Sequence, residues 1–451
     1  MRDVLLGWAL ARGLEAQTDA VGNLIIRKPA TAGREQVPAV VLQAHLDMVC
    51  QKNADSAHDF SRDVIVPVLR DGWLQAESTT LGADNGIGVA LILAVLEADD
   101  FAHGPIEALL TVDEEAGMGG ARGLAGGLLQ ARRMLNLDTE DWGEFYLGCA
   151  GGLDVDVSRS SSPEAVPTGM AVRTLALRGL RGGHSGVDIH EERGNAIKLL
   201  VRTLQELAGE MDFRLVRLNG GTARNALPRE ALATLALAEA DAARLPGWLA
   251  AQQARLRQEL AGVDEGLTLV GQSDTAEAVL PLAEQRIWLA SLHAAPHGVR
   301  RMSRQVPGVV ETSNNVGIIE IGPDGGKANF MVRSLVDRCG VALADEIVSL
   351  FALSGTAAVK SGFYPGWAPN PDSPLLQLCQ SVFARDFGGA SQVKVVHAGL
   401  ECGIIGEKYP GMDIVSFGPT IRGAHAPGER VEVASVERCW LLLRAILGEM
   451  C

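Results

Sequence analysis

The sequence predicts an α/β protein with a mostly parallel sheet, helices on both faces of that sheet, and an inserted α+β domain. Near the N-terminus, short apolar runs alternate with helical patterns, which is typical of a parallel sheet. Beyond a serine-rich stretch near residue 160 the pattern changes to paired strands with helices, and beyond Pro365 the first pattern returns. We therefore predict one domain in two pieces, residues 1–152 and 363–451, interrupted by a second domain at 153–362.

Composition excludes several classes of protein. The length of 451 residues fits two or three domains. The 55 acidic and 40 basic side chains give a net charge of −15, which argues against nucleic-acid and anionic-membrane partners. The longest uncharged run, Ile347–Val359, is shorter than the roughly 18 residues that span a bilayer. Seven cysteines without a CxxC pair predict reduced thiols in a cytoplasmic protein, and the apolar N-terminus predicts an amphipathic helix rather than a signal peptide.

The elements follow in chain order from the apolar pattern. In the first piece we predict strands at 37–44, 106–112 and 133–137, and a helix at 86–98. In the insertion we predict helices at 194–208 and 248–260, and strands at 172–177, 231–238, 308–311, 317–321 and 328–334. In the last piece we predict core strands at 393–396 and 413–417.

Polar residues follow the predicted strands of the first domain. His45 and Asp47 come after the first strand, the pair Glu114–Glu115 after the second, and Asp138 after the third. Because ligands bind at the carboxyl ends of strands in open α/β sheets, these side chains are candidate site residues. None of these features is decisive by itself, since the Glu114–Glu115 pair, for example, is also compatible with a solvated turn.

Two further candidates lie in glycine-bounded loops. Asp84 precedes the helix at 86–98, where the alternative role is that of a helix N-cap, and His425 follows the last strand. With them, five strand ends of one predicted sheet deliver His, Asp or Glu to the same edge. Imidazole and carboxylate ligands suit zinc, manganese or cobalt. The set suffices for two metal ions with one bridging ligand, an arrangement typical of hydrolases.

Eight motifs together resemble one known family. The chain is similar to the bacterial aminoacyl-histidine dipeptidases, also called cytosolic non-specific dipeptidases or peptidase D, of the M20 metallopeptidases. The resemblance covers essentially the whole chain and rests on HLDMV, TTLGADNGIG, TVDEEAGM, LNLDTE, GGHSG, NGGTARNALP, HAGLECG and GPTIRGAHAP. It implies a homodimer that hydrolyses dipeptides with a free amino terminus, preferentially Xaa-His including β-alanyl-histidine. It also implies two divalent metal ions, with zinc expected first and manganese or cobalt as alternatives.

The resemblance assigns roles to the metal ligands. It implies that His45 and Asp138 hold one metal ion, that Glu115 and His425 hold the other, and that Asp84 bridges the two. It also implies a cis peptide bond between Asp84 and Asn85, and makes the divided domain the catalytic one and the insertion a lid and dimerisation domain.

The remaining roles also come from the resemblance. Glu114 would be the general base, and Asp47 would orient His45. His184, which dimeric members often receive from the partner subunit, would stabilise the oxyanion. Candidate substrate-binding residues are Asn225 and Arg333 for the substrate carboxylate and Glu401 for its amine.

Three alternatives stay open. An M20 deacylase of N-acyl amino acids shares the metal ligands, although HAGLECG and NGGTARNALP favour the dipeptidase. A non-catalytic binding protein with this fold would not need a positioned base such as Glu114. Family members begin with a further helix ahead of the first one seen here, so an inactive, truncated homologue is the third alternative.

Overall fold

A computed structural model describes residues 1–53 and 56–450. The chain forms two compact units. The first unit comprises Met1–Cys149, Trp367–Val395 and Leu400–Cys451, and the second comprises Ala150–Gly366 and Val396–Gly399. The predicted borders, after residues 152 and 362, lie a few residues from those of the units, and an independently folding insertion stays a prediction.

Helices occur in both units. In the described residues they are α1 (Arg2–Ala11), α2 (Ala83–Glu97), α3 (Gly119–Gly123), α4 (Ala196–Leu207), α5 (Glu239–Glu259), α6 (Leu282–Ala294), α7 (Asp337–Ala352), α8 (Pro374–Phe387), α9 (Glu401–Lys408) and α10 (Val433–Glu449), with a 3₁₀ turn at Ile189–Glu191. Within the part of the chain that the structure describes, none of these helices is both long and apolar enough to cross a membrane.

The strands of the described residues build two large sheets and three small ones. They are β1 (Glu15–Thr18), β2 (Leu24–Lys28), β3 (Val40–His45), β4 (Pro67–Arg70), β5 (Trp73–Ala76), β6 (Ile106–Thr111), β7 (Arg133–Asn136), β8 (Glu144–Cys149), β9 (Gly151–Ser160), β10 (Glu164–Ala165), β11 (Met170–Arg178), β12 (Gly183–His184), β13 (Phe213–Gly220), β14 (Ala226–Leu227), β15 (Ala231–Ala238), β16 (Thr268–Asp274), β17 (Ala278–Val279), β18 (Gly298–Met302), β19 (Val310–Gly322), β20 (Gly325–Ser334), β21 (Ala357–Tyr364), β22 (Gln392–Val396), β23 (Asp413–Ser416), β24 (Ile421–Arg422) and β25 (Arg430–Glu432).

The first unit is built on a mixed sheet with the order β1-β2-β6-β3-β7-β23-β8-β22. Its four central strands, β6, β3, β7 and β23, run parallel. The pairs β1–β2, β2–β6 and β23–β8 are antiparallel. Since parallel strands end at the same edge, the residues that follow β3, β6 and β7 come together there. The predicted fold class is confirmed.

Helices cover both faces of this sheet. Successive strand residues point to opposite faces. Leu42 and Ala44 join the apolar core that includes residues of α1, α2, α8 and α10. Gln43 points to the other face, where its amide donates to Glu401 at the start of α9. The alternation of the strand side chains therefore places a helix layer on each side.

A small antiparallel sheet in the first unit, with the order β24-β25-β5-β4, corrects one prediction. Asp84 lies in the first turn of α2, which follows β5, and His425 lies in the loop between β24 and β25. Neither residue follows a strand of the large sheet. The large sheet thus supplies His45, Glu114, Glu115 and Asp138. The other two predicted ligands, Asp84 and His425, follow strands of the small sheet.

The second unit is a nine-stranded antiparallel sheet. Its order is β16-β11-β15-β13-β19-β20-β9-β21, with β18 paired to β19. Residues of α4 to α7 form one apolar core with one face of this sheet. This arrangement agrees with the predicted α+β class.

Three predicted strands differ from the observed ones. The segment 317–321 and the last two residues of the segment 308–311 belong to one strand, β19, whose pairing with β20 shifts between Val316 and Ile318. A bulge of this kind breaks the period of two on which strand prediction depends. The predicted core strand at 393–396 is β22, the outermost strand of its sheet, where Gln392 and Val393 are exposed.

Candidate active site

Two histidines and three carboxylates form a compact cluster in the first unit, which we call the metal centre. The Nε2 atom of His45 lies 3.1 Å from Oδ1 of Asp84 and 3.2 Å from Oδ1 of Asp138. The Nε2 atom of His425 lies 3.2 Å from Oδ2 of Asp84 and 3.1 Å from Oε2 of Glu115. Asp84 therefore offers one oxygen to each histidine, and the cluster consists of two three-residue groups that share it.

The donor atoms of the metal centre fit divalent metal ions. Nδ1 of His45 lies 3.0 Å from the carbonyl oxygen of Asp47, so this nitrogen carries a proton and Nε2 faces the carboxylates of Asp84 and Asp138. Against the effect of burial, Asp138 and then Asp84 raise the pKa of His45 well above its usual value, so Nε2 lies where a cation is favourable. Metal–ligand bonds of about 2.0–2.1 Å in a tetrahedron place ligand atoms about 3.4 Å apart, close to the distances observed.

Unsatisfied oxygens support the same conclusion. Oε1 of Glu115 and Oδ1 of Asp138 are buried and receive no hydrogen bond from the residues described. Buried acceptors of this kind are rare in proteins unless a water or an ion satisfies them. Both oxygens belong to the metal centre.

Asp47 joins the ends of two neighbouring strands. Its carboxylate accepts hydrogen bonds from the backbone amides of Glu114 and Glu115, each at 3.0 Å. The ring of His45 is oriented by the carbonyl of Asp47, while the carboxylate Oδ1 is 3.7 Å from Nδ1. Ligand atoms of Glu114, Glu115 and His45 lie within 4.8 Å of one another. The predicted base is therefore adjacent to both metal-ligand groups.

Local packing at the start of α2 places Asp84 beside Asp138. The peptide bond between Asp84 and Asn85 is cis, as the resemblance implied. The Asn85 amide donates to the carbonyl of Leu137 at 2.7 Å, which ties this turn to the end of β7. A Cβ on Gly88 would overlap Oδ1 of Asn85 and lie 2.6 Å from the Leu137 carbonyl oxygen, so only glycine permits this approach.

The ionisable groups of the metal centre have shifted pKa values. Burial, and then Asp138, raise the pKa of Glu114 to about 9. Burial outweighs the contacts with His45 and raises the pKa of Asp138 to about 6. Hydrogen bonds to Asp84 and Glu115 raise the pKa of His425 to about 10. Burial and the neighbouring negative charges together raise the pKa values of the two carboxyl groups, and bound cations would lower them again.

Two acidic residues near the metal centre escaped the sequence analysis. Burial, and then Asp84, raise the pKa of Glu140 to about 7. Glu140 follows Asp138 by two residues, a spacing that could have indicated it. Glu429 is 2% exposed and accepts hydrogen bonds from three amides that include that of Asp84. The signal that could have found Glu429 was its position four residues after His425.

Glu401 is fully buried in the first unit. Its side chain has no exposed surface, and Oε2 accepts hydrogen bonds from Gln43 at 2.7 Å and Thr111 at 2.6 Å. Burial raises its pKa to about 7. Its Oε1 atom is buried and accepts no hydrogen bond from the residues described. The contact with the substrate amine stays a prediction.

In the second unit, Arg333 is a buried cation without a counter-ion. It is 4% exposed, donates to the hydroxyl groups of Tyr364 at 3.0 Å and Ser185 at 3.4 Å, and places Nη2 3.4 Å from Nε2 of His184. Within residues 1–53 and 56–450, no carboxylate forms a salt bridge with it. A buried guanidinium is costly unless an anion pairs with it, so this group can bind a carboxylate.

His184 is held as a neutral donor beside Arg333. Its Nδ1 accepts hydrogen bonds from the amides of Gly186 at 3.2 Å and Val187 at 3.0 Å, so the ring proton is on Nε2. Burial, and then Arg333, lower the pKa of His184 to about 4. Asn225 is adjacent through its carbonyl, which accepts from the Ser185 amide at 2.8 Å, and its side chain is exposed.

The chain belongs to a known peptidase family. The sequence model of peptidase family M20/M25/M40 matches residues 41–449. The predicted family and the predicted class, a hydrolase of peptide bonds, are thereby confirmed. Divalent metal ions, which this family of metallopeptidases implies, agree with the donor set of the metal centre.

Individual relatives span nearly the whole chain. The cytosol non-specific dipeptidase of Escherichia coli is 46% identical over 451 residues, which cover 100% of this chain and 93% of the relative. The crystal structure of the aminoacylhistidine dipeptidase from Vibrio alginolyticus superposes with a TM-score of 0.90 at 44% identity, covering 100% of this chain and 92% of the other. The aminopeptidase PepT from Bacillus cereus, at 17% identity and a TM-score of 0.56 over 99% of this chain and 92% of PepT, shares the fold.

Proposed function

We propose that the protein is a cytoplasmic, homodimeric dipeptidase. Its substrates would be dipeptides with a free amino terminus, preferentially Xaa-His including β-alanyl-histidine. The observation that carries the proposal is the pair of metal-ligand groups that share Asp84. The relatives from E. coli and V. alginolyticus, named as dipeptidases, support the substrate class.

In this proposal each metal ion has its own ligands. His45 and Asp138 would hold one ion, Glu115 and His425 would hold the other, and Asp84 would be the ligand common to both. Zinc is the metal we expect first, and manganese or cobalt suit the same imidazole and carboxylate ligands. When bound, such a pair polarises the carbonyl of the peptide bond and lowers the pKa of water to about 7.

Glu114 is the proposed general base. Its carboxylate takes a proton from the attacking water and then passes this proton to the leaving amine, so that one side chain serves both halves of the reaction. Its position beside His45 and Glu115 supports this role. Asp47, which binds the backbone amide of Glu114 at 3.0 Å, holds the base in place.

The residues of the second unit bind the substrate in this proposal. Arg333, together with the side chain of Asn225, would bind the carboxylate at the C-terminus of the dipeptide. The absence of a carboxylate partner for Arg333 in the described residues supports this assignment. His184, with its proton on Nε2, would donate to the oxyanion that forms at the peptide carbonyl, because such a donor stabilises the developing charge.

Histidine release tests the proposal. Protein stripped with a chelator is compared with the same protein refilled with zinc, manganese or cobalt, on β-alanyl-histidine, several Xaa-His dipeptides and N-acetyl-histidine. We expect hydrolysis of the unblocked dipeptides, restored by metal, and none of the N-acetylated compound. Cleavage of N-acetyl-histidine alone would instead identify a deacylase. Folded, metal-loaded protein without activity on any of these compounds would contradict the proposal.

A further inference from the structure

Glu429 is a buried carboxylate whose partners are all backbone amides. It is 2% exposed, so its charge is removed from water. Oε2 accepts hydrogen bonds from the amides of Leu81 at 2.7 Å and Gly82 at 2.9 Å, and Oε1 accepts from the amide of Asp84 at 3.1 Å. Three charge-assisted hydrogen bonds compensate for the buried charge and fix the path of the backbone from 81 to 84.

This carboxylate lies at the start of α2, where it binds the amide of Asp84 and the two amides that precede the helix. The residue that precedes the helix, Gly82, has a left-handed backbone conformation and forms no side-chain cap. The first amides of a helix have no partners inside the helix, and negative charge is favourable at that end. Glu429 supplies negative charge to this end of α2 and an acceptor to one of its amides, that of Asp84. In the described residues no other acceptor binds the amides of Leu81, Gly82 and Asp84.

The same residue belongs to the loop that carries His425. Glu429 follows His425 by four residues, and its own amide donates to the carbonyl of Ala426 at 3.1 Å. The neighbouring Gly428 amide donates to the carbonyl of Thr79 at 3.4 Å. Glu429 thus connects the loop of one metal ligand with the loop of Asp84, the ligand common to both groups.

We propose that Glu429 is a positioning residue for the metal pair. By holding the amide of Asp84, its carboxylate sets where the two Asp84 oxygens lie relative to His45 and His425, and hence the affinity of both sites. This inference rests on the proposed di-metal function. It differs from a purely structural role because it predicts a loss of metal affinity in a protein that remains folded.

The test compares Glu429→Gln with a matched control, Glu432→Gln. Glutamine keeps the volume but presents an NH₂ group to one side of the amide cluster, which removes an acceptor. Glu432 lies three residues further on, and its carboxylate is 3.5 Å from the guanidinium of Arg438. Zinc is titrated against a fluorescent chelator in metal-free full-length wild type and both variants, and circular dichroism is recorded for each.

We expect Glu429→Gln to bind zinc 10–100-fold more weakly, as is usual when a residue that orients a metal ligand is changed. Its circular dichroism should match wild type, Glu432→Gln should bind as wild type does, and excess zinc should restore the hydrolysis rate of Glu429→Gln with an unchanged KM. Wild-type zinc affinity in Glu429→Gln would overturn this inference alone. Fewer than two zinc ions bound by wild type would overturn the proposed function as well.

A second variant covers a failure of Glu429→Gln to fold. Glu429→Asp keeps the charge and withdraws the carboxylate by one methylene, so the hydrogen bonds lengthen while the compensating charge remains. We expect a folded protein with weakened zinc affinity. Wild-type affinity in folded Glu429→Asp, or a loss of fold in both variants, would assign Glu429 to folding rather than to positioning and would overturn the inference.

Discussion

Backbone amides hold two carboxylates beside the metal ligands, those of Asp47 and Glu429. Asp47 binds the amides of Glu114 and Glu115, and Glu429 binds the amide of Asp84. A backbone amide cannot rotate away as a side chain can, so these bonds fix the loops that carry the ligands. Such contacts have no sequence pattern of their own. For this reason the sequence predicted Asp47 as a partner of the His45 ring and overlooked Glu429.

Replacing Glu114 by glutamine separates proton transfer from metal binding. Glutamine has nearly the same shape but cannot accept the proton of the attacking water. We expect kcat on β-alanyl-histidine to fall by about 10²–10⁴-fold. The zinc content of Glu114→Gln, measured after dialysis, should equal that of wild type, because the proposed ligands are unchanged. Turnover near the wild-type value would show that Glu114 is not the general base.

Gly186 is the residue that allows Arg333 its position in the second unit. A Cβ at this site would overlap the carbonyl oxygen of His397 and lie 3.0 Å from Cδ of Arg333. Overpacking of this kind costs about 1–3 kcal/mol, and part of the strain would be relieved by displacing the Arg333 side chain. We expect Gly186→Ala to raise the KM for Xaa-His dipeptides about tenfold or more, a cost within this range.

The control for this variant is Gly247→Ala. Gly247 lies in α5, and a Cβ there would meet no heavy atom within 4 Å. We expect its KM to equal that of wild type, and its melting temperature to rise slightly because alanine favours helix over glycine. Equal KM values for Gly186→Ala and wild type would show that Arg333 does not bind the substrate.

A row of buried polar side chains crosses the central strands at the level just below the metal ligands. Thr111 of β6, Gln43 of β3, Asn136 of β7 and Ser416 of β23 are all fully buried. Gln43 bonds to Thr111 at 3.1 Å and accepts from Asn136, which in turn accepts from Ser416. Glu401, at the start of α9, ends the row. We infer that this network keeps the strand ends in register where the ligands leave them.

Replacing Gln43 tests how much this row of polar side chains contributes to the free energy of unfolding. Gln43→Leu removes one of the two donors to Oε2 of Glu401 and leaves the amide donor of Asn136 without its partner. Each unsatisfied group costs about 1–3 kcal/mol, so the free energy of unfolding should fall by at least that amount in urea titrations of metal-free protein. The double variant Gln43→Leu/Glu401→Leu should lose less than the sum of the single variants, since both partners are removed. Additive losses would mean that the row carries no coupling.

The elements that the sequence predicted well are those with one dominant period. The apolar runs of β3, β6 and β7 are buried strands of parallel neighbours, and a short apolar run bounded by turn residues is typical of such strands. The strand β19 was predicted as two strands, and the edge strand β22 was predicted as a core strand. A local sequence pattern shows neither a register shift nor which strands lie beside one another. The small sheet that delivers Asp84 and His425 pairs segments more than 350 residues apart, such as Gln75 with Arg430, and no local signal encodes that pairing.

Across the whole molecule, buried groups in the two units respond to acid in opposite directions. In the first unit, burial raises the pKa of Glu114 and Asp138, so these carboxyl groups favour the folded state as pH falls. In the second unit, burial lowers the pKa of His297 and His397 to about 4 and about 3. These histidines remain neutral in the folded protein and oppose folding as pH falls. The acid response of the chain is the sum of the two effects, and single substitutions separate them.

A substitution of His397 isolates the effect of the buried histidines on stability at low pH. It is 6% exposed and its Nε2 lies 2.8 Å from the hydroxyl of Ser313. Burial, and then Arg333, lower its pKa, so between about pH 6.5 and its folded value the unfolded chain binds a proton that the folded chain does not. Above pH 6.5, protonation of His397 therefore does not lower the free energy of unfolding. Below pH 6.5, the free energy of unfolding falls by about 1.4 kcal/mol for each pH unit.

We expect the stability difference between wild type and His397→Gln to change with pH. At pH 7 wild type should be the more stable, because it keeps the bond to Ser313. At pH 4.5 this advantage should shrink by about 2–3 kcal/mol or reverse, since glutamine binds no proton in either state. Urea unfolding in the presence of a chelator, which keeps metal release out of the comparison, measures both differences. The exposed His293, changed to glutamine, should show the same difference from wild type at the two pH values. If the stability difference between wild type and His397→Gln is the same at both pH values, His397 is protonated in the folded protein at pH 4.5. Arg333 would then not lower its pKa.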